Sequence, residues 1–239
     1  MIDIKNGDRA FEDRPEFVDP ATGGIINLPL DTKLGQKLLL PLARCAALQR
    51  LRHICQLSFA HYAFGGKYSR FTHSLQAAAE ASDEMDILKD RMSRRFPGTF
   101  DQRLADAVVT ALLLHDVGHA PYSHTFENVM NNLGENFHHE EWTRRIITED
   151  GDIQEIFARF MRSNPEYGSA FTRRYGCTFP DMVANLIDGP VAPELTIYKS
   201  FVSGARDCDR TVYLFTDRIV TGAYRHSFKL TRLNRHIGT

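Results

Sequence analysis

The residues best suited to chemistry are an adjacent histidine and aspartate, His115 and Asp116, which follow the apolar run 111–114. Gly118 and Pro121 come directly after them. An apolar helical run that stops at a glycine and a proline brings its last polar side chains out of the core, where they can border a cavity. Imidazole and carboxylate groups are both ligands of divalent metal ions. This segment therefore predicts one half of a metal site.

Two further residues can complete the site. His73 lies near the start of one predicted helix, and Asp209 lies near the start of another. Two imidazoles and two carboxylates suit a transition metal or Mg²⁺ with positions left open for water and substrate, whereas a closed structural zinc site favours thiolates. We therefore predict a catalytic centre with a divalent metal cofactor (Mn, Mg, Fe, Co, Ni or Zn). Without these partners, the His115–Asp116 pair would more often be explained by a hydrogen-bonded histidine at a helix end.

Size and charge narrow the class of protein. A chain of 239 residues with 43% apolar content can bury a complete core as one large domain. Its 29 basic and 30 acidic residues give a formal charge of −1, so the protein as a whole does not attract polyanions. The balance argues against a dedicated DNA-binding protein, and a nucleic acid partner is not indicated. Any affinity for phosphate must come from a local cluster.

The cysteines and the apolar segments bear on the cellular location. Cys45, Cys55, Cys177 and Cys208 form no C-x-x-C pair and no disulfide framework. No window approaches the roughly eighteen apolar residues that a membrane span needs. We therefore expect a cytoplasmic protein with reduced thiols and no membrane partner.

The elements that must position the site are mostly helical. Apolar residues at a period of 3.6 predict helices over residues 43–55, 72–88, 102–116, 123–131, 139–148, 153–163, 181–187, 195–203 and 208–216. Pro41 should break or restart the first of them. The one notable strand candidate is 24–29. The sequence thus predicts an all-α fold, a single domain over 1–239 with an extended or β-like N-terminal segment, 1–36, and a helical catalytic core, 37–239.

The order of the predicted ligands carries a family resemblance. His73, then His115–Asp116, then Asp209 resembles the H…HD…D pattern of the HD-domain phosphohydrolase superfamily, whose fold is a helical bundle. The run 115–124 reads H-D-V-G-H-A-P-Y-S-H. It is similar to the deoxynucleoside triphosphate triphosphohydrolase (dGTPase-like) branch, which includes bacterial dGTPases and the animal dNTPases that join a sterile alpha motif to an HD domain. The resemblance implies metal-dependent hydrolysis of deoxynucleoside triphosphates to deoxynucleoside and triphosphate.

The resemblance also implies roles for individual residues. The metal ligands would be His73, His115, Asp116 and Asp209. The residues around the triphosphate would be His119, His124 and His139, with His124 transferring a proton and Glu127 orienting it. The phosphates or the base would be contacted by Arg70 and Arg210, and the deoxyribose would be held by Gln56, Leu57, Tyr213 and Asp217. By the same analogy, the partners would be a nucleotide substrate, expected to be a dNTP, and further copies of the chain in a homo-oligomer.

Other interpretations of the same residues remain open. The protein could be another HD phosphoesterase, a 5′-nucleotidase or a hydrolase of cyclic nucleotides or ppGpp. It could also be a nucleotide- or nucleic-acid-binding module whose hydrolytic site has decayed. A core without catalysis has no physical need for four ligands and the adjoining histidines, so decay is the weaker alternative. Individually, His119 and His124 could bond backbone groups in the turn, and His139 could belong to a helix cap.

Overall fold

The computed structural model describes residues 17–19, 23–60, 62 and 65–222, and these ranges are mainly α-helical. The α-helices are α1 (Leu40–Arg44), α2 (Ala46–Gln49), α3 (Arg70–Arg95), α4 (Gln102–Leu114), α5 (His124–Asn132), α6 (His139–Glu149), α7 (Gly151–Ser163), α8 (Ser169–Tyr175), α9 (Phe179–Asp188), α10 (Thr196–Ser203) and α11 (Cys208–Val220). A π-helical turn, Gly35–Leu39, leads into α1, and 3-10 turns are formed by Arg50–His53, Pro165–Tyr167 and Pro193–Leu195.

Helix α4 is the centre of the core. Every residue from Leu104 to Leu114 is buried, and α3, α9 and α10 pack around it. A helix that is apolar on nearly all sides belongs inside a protein rather than at its surface. Its buried Asp106 accepts hydrogen bonds from the hydroxyl of Tyr167 and from Gln102 Nε2. The carboxyl end of this core helix delivers His115 and Asp116.

Side-chain caps mark the starts of the two helices that carry the predicted ligands His73 and Asp209. Ser69 Oγ accepts a hydrogen bond from the backbone N–H of Thr72, 3.2 Å away, at the start of α3. Asp207 Oδ1 accepts from the backbone N–H of Arg210, 2.7 Å away, at the start of α11. Such caps satisfy backbone donors that the first helical turn leaves unpaired. Because α11 packs against α3, the two capped first turns lie close together.

The described part of the N-terminal segment is mostly non-helical, as predicted, and differs from the prediction in two details. Residues 24–29 form no named strand, and only an isolated bridge joins Val18 to Ile25. Pro29 has no N–H to continue a ladder. Helical structure already begins before residue 37, because Gly35–Leu39 is a π-helical turn. The predicted domain extent of 1–239 stays a prediction, since 1–16, 20–22 and 223–239 lie outside the described residues.

The helix predicted over 43–55 is interrupted. Pro41 stands in the first turn of α1, as expected for a helix that restarts there, but Cys45 adopts extended backbone angles (φ −68°, ψ 154°) and separates α1 from α2. The side chain of Gln49 closes this corner by donating to the carbonyl of Ala43 at 2.5 Å. Apolar spacing continues through the corner, so periodicity alone could not reveal it.

The remaining helix predictions differ mainly at the ends. The helix predicted over 72–88 is α3, which extends through a charged, largely exposed segment to Arg95, and the one predicted over 208–216 is α11, which continues to Val220. Helix α8 was not predicted. All four cysteines are free. Among the described residues, none of the helices combines the length and the hydropathy that a membrane span requires.

Candidate metal centre and its cavity

One cavity of about 510 Å³ collects most of the predicted site residues. The starts of α3, α6 and α11 and the end of α4 open into it. Its lining comprises Gln56, Arg70, His115, Asp116, His119, His124, His139, Glu140, Ile187, Val202, Ser203, Gly204, Asp207, Asp209, Arg210, Tyr213 and Asp217. His73 is buried and contacts the lining residue Asp209. Leu57 does not line the cavity.

Three of the predicted metal ligands form a compact group. His73 Nε2 lies 2.7 Å from Asp209 Oδ1, and His115 Nε2 lies 3.6 Å from the same oxygen. One ligand atom from each of His73, His115 and Asp209 lies within 4.8 Å of the other two. His115 Nδ1 donates to the carbonyl of Leu112 at 2.7 Å, which leaves Nε2 as the acceptor.

Asp116 borders this group and is held by an arginine. Its Oδ1 lies 3.3 Å from His115 Nε2, and its Oδ2 lies 2.6 Å from Arg70 Nη1. Arg70 and Asp116 are each 3% exposed. The guanidinium also donates from Nε to Ser123 Oγ at 2.7 Å. These contacts make Arg70 a residue that orients a ligand carboxylate, and its predicted contact with substrate stays a prediction.

The residues at this position fit a divalent cation. His115 Nε2 is buried and has no hydrogen-bond partner among the described residues. Burial by itself would lower the pKa of His115, but the negative charges of Asp116 and Asp209 raise it to about 9. The same site lowers the pKa of Asp209, because the adjacent imidazoles of His115 and His73 outweigh its burial. The local field therefore favours a positive charge beside His115 Nε2, and imidazole with carboxylate is a suitable donor set for a divalent ion.

Close packing against α6 supports the turn after His115–Asp116. A Cβ atom on Gly118 would lie 2.2 Å from the carbonyl oxygen of His139, so only glycine fits there. Gly118 N–H donates to Thr143 Oγ1 at 2.9 Å, and this hydroxyl donates to the carbonyl of His115 at 2.9 Å. These contacts join the end of α4 to the first turn of α6.

A second histidine group lies beside the predicted metal ligands. The rings of His119 and His139 stack with centroids 3.9 Å apart, and His124 stands edge-on to both, at 4.9 and 5.1 Å. Glu127 Oε2 lies 3.0 Å from His139 Nδ1 and 3.4 Å from His124 Nδ1. Burial lowers the pKa of His119 to about 4 despite its contact with Asp116. The four predicted catalytic residues therefore lie in one connected group.

The backbone before His124 is strained. Tyr122 (φ 65°) and Ser123 (φ 53°) both occupy the left-handed region, which residues other than glycine rarely adopt. Each such residue costs about 1–3 kcal/mol and persists only when neighbouring contacts enforce it. Here Arg70 bonds to the Ser123 hydroxyl, and Ser58 Oγ donates to the Tyr122 carbonyl at 2.8 Å.

Three of the residues predicted to hold the deoxyribose, Gln56, Tyr213 and Asp217, line the cavity. Gln56 Oε1 is buried and has no hydrogen-bond partner among the described residues. Asp217 accepts a hydrogen bond from the hydroxyl of Tyr68, and burial raises the pKa of its carboxyl group. Tyr213 is half-buried, whereas Arg210 is exposed and donates to the carbonyl of Ala205 at 3.0 Å.

Several residues around the site were missed by sequence analysis. Arg50 donates to the carbonyls of His119, at 2.7 Å, and of Val117, at 2.5 Å, and so holds the turn after α4. Ser123 and Thr143 act through contacts between distant segments, which no local pattern signals. Asp207 could have been found, because an aspartate just before a predicted helix is a typical N-cap.

Comparison with known proteins establishes the family. The model of the HD domain matches residues 70–201, more than half of the chain. The chain therefore belongs to the HD-domain phosphohydrolase superfamily, and the predicted all-α HD bundle is confirmed. The match contains His73, His115 and Asp116, whereas Asp209 follows it.

Individual relatives are similar over different shares of the chain. The uncharacterised protein YwfO of Bacillus subtilis is 30% identical over 83% of this chain and 40% of its own length. The deoxynucleoside triphosphate triphosphohydrolase SAMHD1 of Gallus gallus is 34% identical over 60% of this chain and 23% of its own. The crystal structure of a phosphohydrolase from Bacteroides thetaiotaomicron has a TM-score of 0.67 and 27% identity, covering 93% of this chain and 46% of the other. The chain thus spans less than half the length of these relatives.

Proposed function

We propose that this protein is a metal-dependent hydrolase that cleaves deoxynucleoside triphosphates into deoxynucleoside and intact triphosphate. The observation that carries the proposal is one cavity lined by His115, Asp116 and Asp209, by the three-histidine group, and by Gln56. These three features match the needs of an activated water, a polyphosphate and a sugar hydroxyl. The similarity to a dNTP triphosphohydrolase over part of the chain agrees with this assignment.

The metal ligands form the base of the proposed site. A divalent cation held by His73, His115, Asp116 and Asp209 would lower the pKa of a water and polarise a phosphoryl oxygen. Arg70 holds Asp116 in place through its 2.6 Å ion pair. Because both partners are buried, the carboxylate stays fixed without help from substrate.

His124 is proposed as the group that moves a proton. Cleavage between the α-phosphorus and the 5′-oxygen leaves an alkoxide that needs a proton, and an imidazole can supply it near neutral pH. Glu127 binds the His124 ring at Nδ1, so Nε2 remains for the leaving oxygen. His119 and His139 stand beside it as donors to the triphosphate oxygens.

Gln56 is proposed to recognise the sugar. Its Oε1 is a buried acceptor without a partner in the described part of the chain, and a buried unpaired acceptor costs about 1–3 kcal/mol. A 3′-hydroxyl that donates to this oxygen would remove the cost, and Asp217 and Tyr213 line the same cavity. We therefore expect Gln56→Leu to raise KM for dNTPs more than it lowers kcat. The base would then extend away from the metal ligands.

Product analysis tests the reaction. Purified protein is incubated with Mn²⁺, Mg²⁺ or Co²⁺ and, separately, each dNTP, GTP, dGMP and ppGpp, and products are resolved by ion exchange. Deoxynucleoside with intact triphosphate is the expected result. Orthophosphate from dGMP, or pyrophosphate from ppGpp, would instead identify another HD phosphoesterase. Light scattering on the same preparation tests the expected homo-oligomer.

A matched pair of variants tests whether hydrolysis takes place in this cavity. His124→Ala should abolish most triphosphate release, whereas His53→Ala removes an exposed histidine that does not line this cavity. Equal activity of the two variants would contradict the proposed site. If the wild-type protein hydrolyses none of these substrates with any of the metals, the proposed function is wrong.

A further inference from the structure

The second histidine group has the geometry of a ligand set. His119 comes from the turn after α4, and His124 and His139 are the first residues of α5 and α6. One ring nitrogen from each lies within 4.8 Å of those of the other two. Zinc–imidazole bonds measure about 2.0–2.1 Å, so small side-chain rotations bring the three nitrogens around one ion.

Glu127 provides an independent indication of cation binding. Its Oε2 contacts Nδ1 of His139 at 3.0 Å and Nδ1 of His124 at 3.4 Å, and its side chain is only 13% exposed. Metal-ligating histidines nearly always donate their second ring N–H to a carboxylate, a carbonyl or a water, which directs the other nitrogen at the ion. One carboxylate orients two of the three rings in this way.

We propose that His119, His124 and His139 bind a second divalent cation of the zinc class, separate from the predicted metal centre. An all-imidazole set suits Zn²⁺, Cu²⁺ or Ni²⁺, whereas the set with two carboxylates also suits Mg²⁺ and Mn²⁺. Asp116 Oδ1 lies between the sites, 3.3 Å from His115 Nε2 and 3.4 Å from His119 Nε2. The two sites are adjacent but differ in their donor atoms.

Occupation of the second site is inhibitory. A cation on His124 uses the lone pair that the ring needs to carry a proton. Zinc bound there therefore stops hydrolysis even when the metal centre is filled. This consequence rests on the proposed function, whereas the binding site itself does not.

The test is the number of zinc equivalents bound by the full chain. Metal-stripped protein is titrated with Zn²⁺ by calorimetry, and bound metal is counted after dialysis. Wild-type protein is expected to bind two equivalents, and His124→Ala and His139→Ala one each. Glu127→Gln keeps the shape of the side chain and should weaken the second equivalent by about 10–100-fold. Circular dichroism checks that each variant is folded.

Two variants separate this site from its neighbours. Asp209→Asn removes a ligand of the metal centre, so it should keep the equivalent bound by the three histidines. Glu140→Gln disrupts a different group, Glu127–His139–Glu140, of which Glu140 alone plays no part in the proposed site. It should keep both equivalents. A single equivalent in wild-type protein, or a loss in Glu140→Gln without a loss in His124→Ala, would overturn the proposal.

The outcome is independent of the substrate. If no dNTP is hydrolysed, the proposed function fails while the zinc count still decides the second site. If dNTPs are hydrolysed with Mn²⁺, added Zn²⁺ should inhibit with the affinity of the second equivalent. Inhibition that follows only the first equivalent would contradict an inhibitory second site.

Discussion

The floor and the rim of the cavity are built in different ways. The floor consists of His73, His115, Asp116 and Arg70, whose side chains are 0–11% exposed. The rim is the segment 121–139, in which helix α5 has no buried residue and the His124 side chain is 64% exposed. The core therefore holds three of the four predicted metal ligands, whereas hydrogen bonds near the surface hold the predicted proton donor.

Because of this difference, substitutions in the floor and in the rim should have different effects. A change in the floor disturbs buried charges and metal binding together, because its groups compensate one another. Replacement of His124 in the rim removes a largely exposed side chain, so folding and metal binding by the floor should persist. The expected effects of single substitutions follow this division.

The largest expected effect comes from His115→Ala in the floor. Loss of a direct ligand should reduce metal affinity by more than the roughly 10–100-fold that is typical of residues that only support a ligand. Triphosphate release should fall to about the detection limit of the activity assay. Bound metal and triphosphate release are measured together, with circular dichroism to show that the helices remain. Wild-type activity without bound metal would exclude the predicted centre.

His124→Ala in the rim should slow turnover by about 10²–10⁴-fold, the usual contribution of a general acid. The metal bound by the floor and the unfolding free energy should stay near their wild-type values, because the His124 side chain is largely exposed. Single-turnover kinetics and metal analysis check this. Loss of the metal centre in this variant would show that floor and rim are not separable.

Arg70→Ala should destabilise the floor by about 3–5 kcal/mol, because it leaves the buried Asp116 carboxylate without its cation. Denaturant unfolding of metal-free protein measures the change. Arg94→Ala is the matched control: its 2.5 Å pair with Asp90 is exposed and should contribute only about 0.3–0.5 kcal/mol. Equal losses in the two variants would mean that burial of the floor does not control its stability.

The smallest expected effect concerns Asp101, which caps the start of α4 far from His115. Burial would raise the pKa of this carboxyl group, but hydrogen bonds from Arg103 and Tyr175 lower it from 3.8 to about 2. The charged form is therefore favoured by folding, so its contribution is present above pH about 4 and is lost as pH falls through about 2.

Asp101→Asn tests that dependence. Asparagine keeps the cap but loses the charge that accepts hydrogen bonds from Arg103 and Tyr175, so the variant should be less stable than wild type by about 1 kcal/mol at pH 7. The difference should shrink toward pH 2 in parallel denaturant titrations. A difference that is constant with pH would show that the charge of Asp101 is not what stabilises the start of α4.

Local sequence signals predicted part of this architecture well. The apolar run before His115 identified a buried helix and its end, and α5, α6 and α7 begin within two residues of their predicted starts. The break at Cys45 was invisible because apolar spacing continues through it. The support from Arg50 was invisible as well, since its carbonyl partners are 67 and 69 residues away.

The sequence by itself determined which residues end up at helix boundaries, since periodicity, glycine, proline and capping residues act over a few neighbouring positions. The residue types indicated the ligands, and the resemblance of their order to the H…HD…D pattern indicated the HD-domain family. Only the tertiary structure decided their distances. His73 and Asp209 are 136 residues apart and meet because α11 packs on α3, and Arg70 reaches Asp116 because α3 packs on α4. Packing depends on the shapes of whole helix faces, which local spacing does not encode.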